Sequence, residues 1–124
     1  MVVKTLNNSK EQEATLIISD DRLEYRDAQL TEVVEGQHLP PFVLLKRLRR
    51  KLEEHNILLL VNGSRYDVTP SGMQLSMELP TAYIHTMGKP GQTEDIVNIF
   101  DEATINVGTI AEQENYSQEW FDSL

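Results

Sequence analysis

At 124 residues, with 40% hydrophobic side chains and a formal net charge of −9, the chain has the size of one domain and enough Leu, Ile and Val for one core. That charge disfavours nucleic acid and anionic membranes as partners and favours cationic ones. There is no cysteine, so disulfide scaffolds, cysteine zinc sites and thiol nucleophiles are excluded.

The opening stretch, MVVKTLNNSKEQEAT, starts with a short apolar patch and does not read as a signal peptide. The longest apolar run, Ile57–Val61, falls far short of the ~20 residues that cross a bilayer. The expectation is a cytoplasmic protein.

Leu16-Ile17-Ile18 reads as a strand that ends at Ser19-Asp20-Asp21. Arg22 to Arg26 alternates polar and apolar, the period of a half-buried strand, so the two runs predict a hairpin across Asp20-Asp21. Leu30 to Val34 extends or follows it. Pro40-Pro41 stops what precedes and suits the first turn of a helix.

From Phe42 to His55 the period is helical, with Leu45, Leu48 and Leu52 on one stripe and Leu44 beside it. Asn56 is a C-terminal stop. Ile57–Val61 then reads as a buried strand, followed by a turn in which Gly63 and Gly72 are expected at positive φ. Tyr83 to Met87 is a further strand, broken by Gly88-Lys89-Pro90-Gly91. Asp95 to Phe100 fits a short helix or a strand equally. Thr109 to Glu112 matches a capping box that opens a helix to about Phe121, burying Ile110, Tyr116, Trp120 and Leu124.

Charge is unevenly distributed. Lys46, Arg47, Arg49, Arg50 and Lys51 crowd one helix, where a solvated outer face is the expectation. After Lys89 there is no Lys or Arg, while Glu94, Asp95, Asp101, Glu102, Glu112, Glu114, Glu119 and Asp122 accumulate. Solubility alone accounts for such a composition; a docking face for a basic protein accounts for it equally, with Tyr116, Trp120 and Phe121 as aromatic anchors or as core.

No catalytic constellation converges. His38, His55 and His85 lie in three elements at no metal-ligand spacing, and the glycines fit neither a Walker A loop nor a G-x-S-x-G elbow. The expectation is a chain without enzymatic activity, cofactor or metal. Arg65 and Asp67, two apart, read first as an ion pair that fixes a turn and second as a recognition site.

The segments LLLVNGSRYDVTPSGM, AYIHTMGKPGQTEDIVNIFD and AEQENYSQEWFDSL resemble a group of small bacterial proteins with an L-L-x-N-G-x-R-x-D-V-x-P-S-G-M pattern. The likeness covers about Phe42 to Leu124. It departs at Gln74–Pro80, where the kin have a glycine-rich stretch. Such proteins are similar to immunity proteins of contact-dependent growth inhibition and other polymorphic toxin systems. The resemblance implies stoichiometric neutralisation of a toxin domain, commonly a basic nuclease.

The combined expectation is a single α+β domain over residues 1–124, an antiparallel-rich sheet packed by two helices. Its function would be to bind a cognate toxin with a cationic surface and occlude its active site. The expected partner-binding residues are Asp101, Glu102, Glu112, Glu119, Trp120 and Asp122, with Arg65 and Asp67 in second place. The alternatives are a ligand binder or enzyme using Arg65, Tyr66, Asp67 and His85 around the 62–73 loop, and a regulatory binding module without a toxin.

Overall fold

The computed structural model describes residues 1–124 and has the expected α+β class. Strands β1 (Val2–Asn7), β2 (Lys10–Ile18), β3 (Arg22–Arg26), β4 (Thr31–Glu35) and β5 (Ile57–Leu59) form an antiparallel sheet in the order β4-β3-β2-β1-β5. A second sheet, β6-β7-β8, joins Val68–Thr69, Thr81–Ile84 and Ile96–Asn98. Helix α1 (Pro41–Glu53) packs across β3, β4 and β5, and α3 (Ile110–Asp122) packs on β6 and α1. A short helix α2 (Gly72–Ser76) links β6 to β7. No helix is long and apolar enough to cross a membrane.

The first hairpin pairs Asn7 with Lys10 across Asn8 and Ser9, both at positive φ (50° and 68°). Two consecutive left-handed residues match the twist of the flanking strands, and asparagine tolerates that conformation. On β2 the charged half, Lys10–Glu13, is exposed while Ala14 and Leu16 point to the core. The β2–β3 hairpin turns at Asp20-Asp21, as its sequence predicts, with Ile18 opposite Leu23.

Pro41 occupies the first turn of α1 and Asn56 follows the helix at φ 59°. Phe42, Leu44, Leu45, Leu48 and Leu52 are buried. Each contributes about 1.5–3 kcal/mol relative to an exposed side chain. Together with Leu16, Leu23, Tyr25, Leu59 and Ile99 they belong to one core cluster.

Several expectations need correction. The strand expected over Tyr83–Met87 is Thr81–Ile84, and the one expected over Ile57–Val61 ends at Leu59, with Val61 in an isolated bridge to Glu102. Gly63 and Gly72 are not at positive φ; among the glycines only Gly88 is. Gly63 is a close-approach position, where a Cβ would lie 2.5 Å from Leu45 Cδ2 and 3.2 Å from the Ile99 carbonyl oxygen. Gly72 opens α2 behind a capping box made by Ser71 and Gln74. The chain there is helical, not a simple turn. Leu124 is 57% exposed, because it lies beyond the last turn of α3.

Gly63→Ala should therefore lower the urea-unfolding free energy by about 1–3 kcal/mol through overpacking. Gly72→Ala, with nothing within 4 Å of the added atom, should be neutral or stabilising by up to about 1 kcal/mol. Equal losses from the two would refute this account of Gly63.

Candidate functional site

The site is built on a buried arginine. Arg49 falls on the apolar stripe of α1, four residues after Leu45 and three before Leu52, and is only 3% exposed. This corrects the expectation that the basic helix is wholly a solvated face. Its Nη1 donates to the Gly63 carbonyl (3.0 Å) and to Gln113 Oε1 (2.7 Å), and Nη2 donates to the Gly108 carbonyl (3.2 Å). Burial lowers its pKa to about 10, with Glu53 opposing that shift, so it stays cationic at neutral pH.

Gln113, 1% exposed, completes the arrangement from α3. Its Nε2 donates to the carbonyls of Gly63 (3.0 Å), Arg65 (2.9 Å) and Val68 (2.9 Å). Gly63 and Arg65 lie between β5 and β6, largely outside any ladder, and Val68 opens β6. The Gly63 carbonyl also accepts from Arg49 and the Arg65 carbonyl from the Val68 amide (3.3 Å), so the Val68 carbonyl is the one that depends on Gln113 for its donor.

Against this support lies an open cleft of about 610 Å³ between α3, the second sheet and the start of α1. Its aromatic wall is built on Tyr83, His85, Trp120 and Phe121. The His85 and Trp120 rings stack with centroids 3.8 Å apart, and Tyr83 lies 6.3 Å from His85. Trp120 Nε1 donates to the Lys89 carbonyl (2.8 Å) and the Tyr116 hydroxyl to the His85 carbonyl (3.1 Å). These bonds fix α3 against the β7 end. Lys46 and Glu114 pair at 2.8 Å on the opposite side.

His85 is 7% exposed and its Nδ1 is buried without a hydrogen-bond partner. Burial lowers its pKa below the ordinary 6.5, while the Thr69 backbone, Asp67 and Asp95 pull the other way. The neutral ring is the folded-state form at neutral pH.

Arg65 and Asp67 form the ion pair expected of them, with both contacts at 2.8 Å. Asn106, at φ 58°, donates to the same carboxylate (3.1 Å) and accepts from the Tyr66 hydroxyl (3.0 Å). The Arg65–Asp67 pair is therefore bound into a local network, and Arg65 does not line the aromatic cleft.

The acidic residues separate into two places. Glu102 pairs with Lys4 of β1 at 3.4 Å, and Asp101 precedes it. On α3, Glu112 closes the capping box with Thr109, as its sequence predicts. Glu119 and Asp122 lie exposed in the second half of the helix, where Asp122 accepts from Gln118 (3.0 Å). Trp120 is half-buried there and Phe121 is 68% exposed. No group of three or more His, Asp or Glu side chains is arranged to hold a metal.

No protein-family model matches this chain, and no curated protein matches it.

Removing the Gln113 amide should expose the importance of the hub. Gln113→Ala should cost about 3 kcal/mol in urea unfolding, because the Val68 carbonyl loses its donor and the buried Arg49 guanidinium loses an acceptor. A loss within about 0.5 kcal/mol, the usual effect of a surface change, would overturn this.

His85 also gives stability a pH dependence. The unfolded chain takes up the imidazole proton before the folded one does. Stability is therefore full above the ordinary value of 6.5 and declines as pH falls below it. Urea unfolding at about pH 7.5 and about pH 5.5 should show a loss that shrinks in His85→Gln. An identical loss in the variant would assign the effect to other groups.

Proposed function

We propose that this chain is a non-catalytic binding protein of the immunity type, which occludes a cationic toxin domain in the cytoplasm. The observation that carries this reading is the C-terminal half of α3. Glu119 and Asp122 stand exposed there beside Trp120 and Phe121, in a stretch without Lys or Arg after Lys89. Aromatic anchors within a charged rim are the usual composition of a binding hot spot. The carboxylates would mimic the phosphates of a nucleic-acid substrate, and their field would raise the rate of encounter with a basic surface.

A ligand-binding reading centred on Arg65 and His85 has less support. The Arg65 guanidinium is bound by Asp67, and only His85 of the two lines the cleft. Among the residues expected to bind the partner, Glu119, Asp122 and Trp120 remain the primary assignments. Glu112 is a poorer probe, since its carboxylate caps the helix. Asp101 and Glu102 would extend the interface if the partner reaches the β1 side.

The test is co-expression with the product encoded immediately upstream, followed by survival and co-purification. Survival and a stoichiometric complex are expected; a harmless neighbour, or no complex at low salt, would sink the reading. Glu119→Lys combined with Asp122→Lys should slow association about tenfold at low ionic strength, with the difference shrinking as salt is added. An unchanged association rate would place the interface elsewhere.

A further inference from the structure

We propose that a second cleft, between the β2–β3 hairpin tip and the turn joining α2 to β7, receives an arginine side chain of a basic partner protein. The proposal rests on the cationic-partner reading above. The cleft encloses about 1020 Å³ and lies beside the first turn of α1. Its floor is apolar, with Leu23, Leu44 and Phe100 each under 10% exposed, and Ile18 flanks it at 42%. Its mouth carries Asp20 and Asp21 from the hairpin and Glu78 from the opposite side.

There is no Lys or Arg among its walls. Arg22, adjacent to the two aspartates in sequence, is held by Glu24 and Glu35. Three carboxylates and one imidazole, that of His38, therefore line the cleft, and the carboxylates outnumber the single basic side chain.

An apolar floor below an acidic mouth has the polarity profile of an arginine. The aliphatic stem lies along apolar surface while the charged head stays at the polar rim. The planar guanidinium meets a carboxylate through two parallel bonds and stacks on an aromatic ring such as Phe100. A lysine offers only a point charge, and an anionic ligand would be repelled.

Turn chemistry accounts for Asp20 and Asp21 without any ligand. It does not account for Glu78. That residue terminates α2 at φ 53°, its amide donating to the Leu75 carbonyl at 3.1 Å. Glycine is the ordinary residue at such a left-handed helix end. The backbone gives no reason for a glutamate there; the charge at the cleft mouth gives one.

The same feature supplies a variant that keeps the fold. Glu78→Gly removes the carboxylate and relaxes the backbone, so its unfolding midpoint should be unchanged or higher. Titration of the full chain with Nα-acetyl-arginine amide, followed by amide NMR shifts, should perturb residues around Leu23, Leu44 and Phe100. Glu78→Gly, and separately Asp20→Asn with Asp21→Asn, should weaken that binding about fivefold or more. Nα-acetyl-norleucine amide and Nα-acetyl-lysine amide should both bind more weakly than the arginine probe.

Shifts confined to α3, undiminished binding in Glu78→Gly, or equal binding of either control probe would overturn the proposal. The probe needs no toxin, so these results separate this cleft from the neutralisation reading. Arginine binding without any toxin complex would leave the cleft standing and remove the immunity assignment. A complex without arginine binding would do the reverse.

Discussion

The arrangement on which the rest depends is a buried cation held without a carboxylate in contact. Placing a guanidinium in a core is costly, and its usual solution is an ion pair. Arg49 is instead surrounded by the carbonyls of Gly63 and Gly108 and the side-chain oxygen of Gln113. The reason lies in the chain that crosses above it. Between β5 and β6 the backbone leaves the first sheet before joining the second, so its carbonyls need donors from elsewhere. Arg49 and Gln113 supply those donors from two helices. One polar cluster thereby fixes α3 to α1 and sets the position of the aromatic cleft.

The NGSRYDVTPSGM segment acquires a physical explanation from this arrangement. Asn62 Nδ2 donates to the Asn98 carbonyl (3.2 Å), and Gly63 lets the chain approach Leu45 and Ile99. Arg65 and Asp67 hold each other, and Ser71 starts α2. The polar residues of the motif thus serve the crossing between two sheets. Here its side chains are engaged with one another, while the candidate binding surfaces lie on α3 and around the second cleft.

Elements with a strong period were legible in the sequence; elements defined by distant partners were not. The α1 stripe and the Thr109–Glu112 cap are local signals, and both helices start where those signals place them. Strand β1 and the first half of β2 were hidden because Lys10 to Glu13 are polar throughout, with no apolar alternation, and only the Asn8-Ser9 turn marks the hairpin. Strand β8 is three residues long, too short for a period to distinguish it from a helix. Gly63 was misassigned because crowding by Leu45 is tertiary information. Arg49 did leave a trace: it falls on the leucine stripe, though its partners lie far along the chain. Similarly, a count of carboxylates does not reveal that Glu102 faces Lys4, that Glu114 faces Lys46 or that Glu112 caps a helix.

After those three are set aside, the charges that remain on α3 are at the wrong end for helix stability. A helix C-terminus carries partial negative charge and is favoured by Lys, Arg or His. The last turn of α3 has no basic residue, and Glu119 and Asp122 stand there instead. Phe121, beside them, leaves most of its ring in water. Neither choice serves the isolated fold, since unlike charge and a polar side chain would both be better tolerated. Places where a sequence departs from its own local preferences without an internal gain are where function is expected to reside. Glu24 provides the contrast, a buried carboxylate with Arg22 and Arg26 as partners. The end of α3 has no such compensation within the chain, and a cationic surface would provide it from outside.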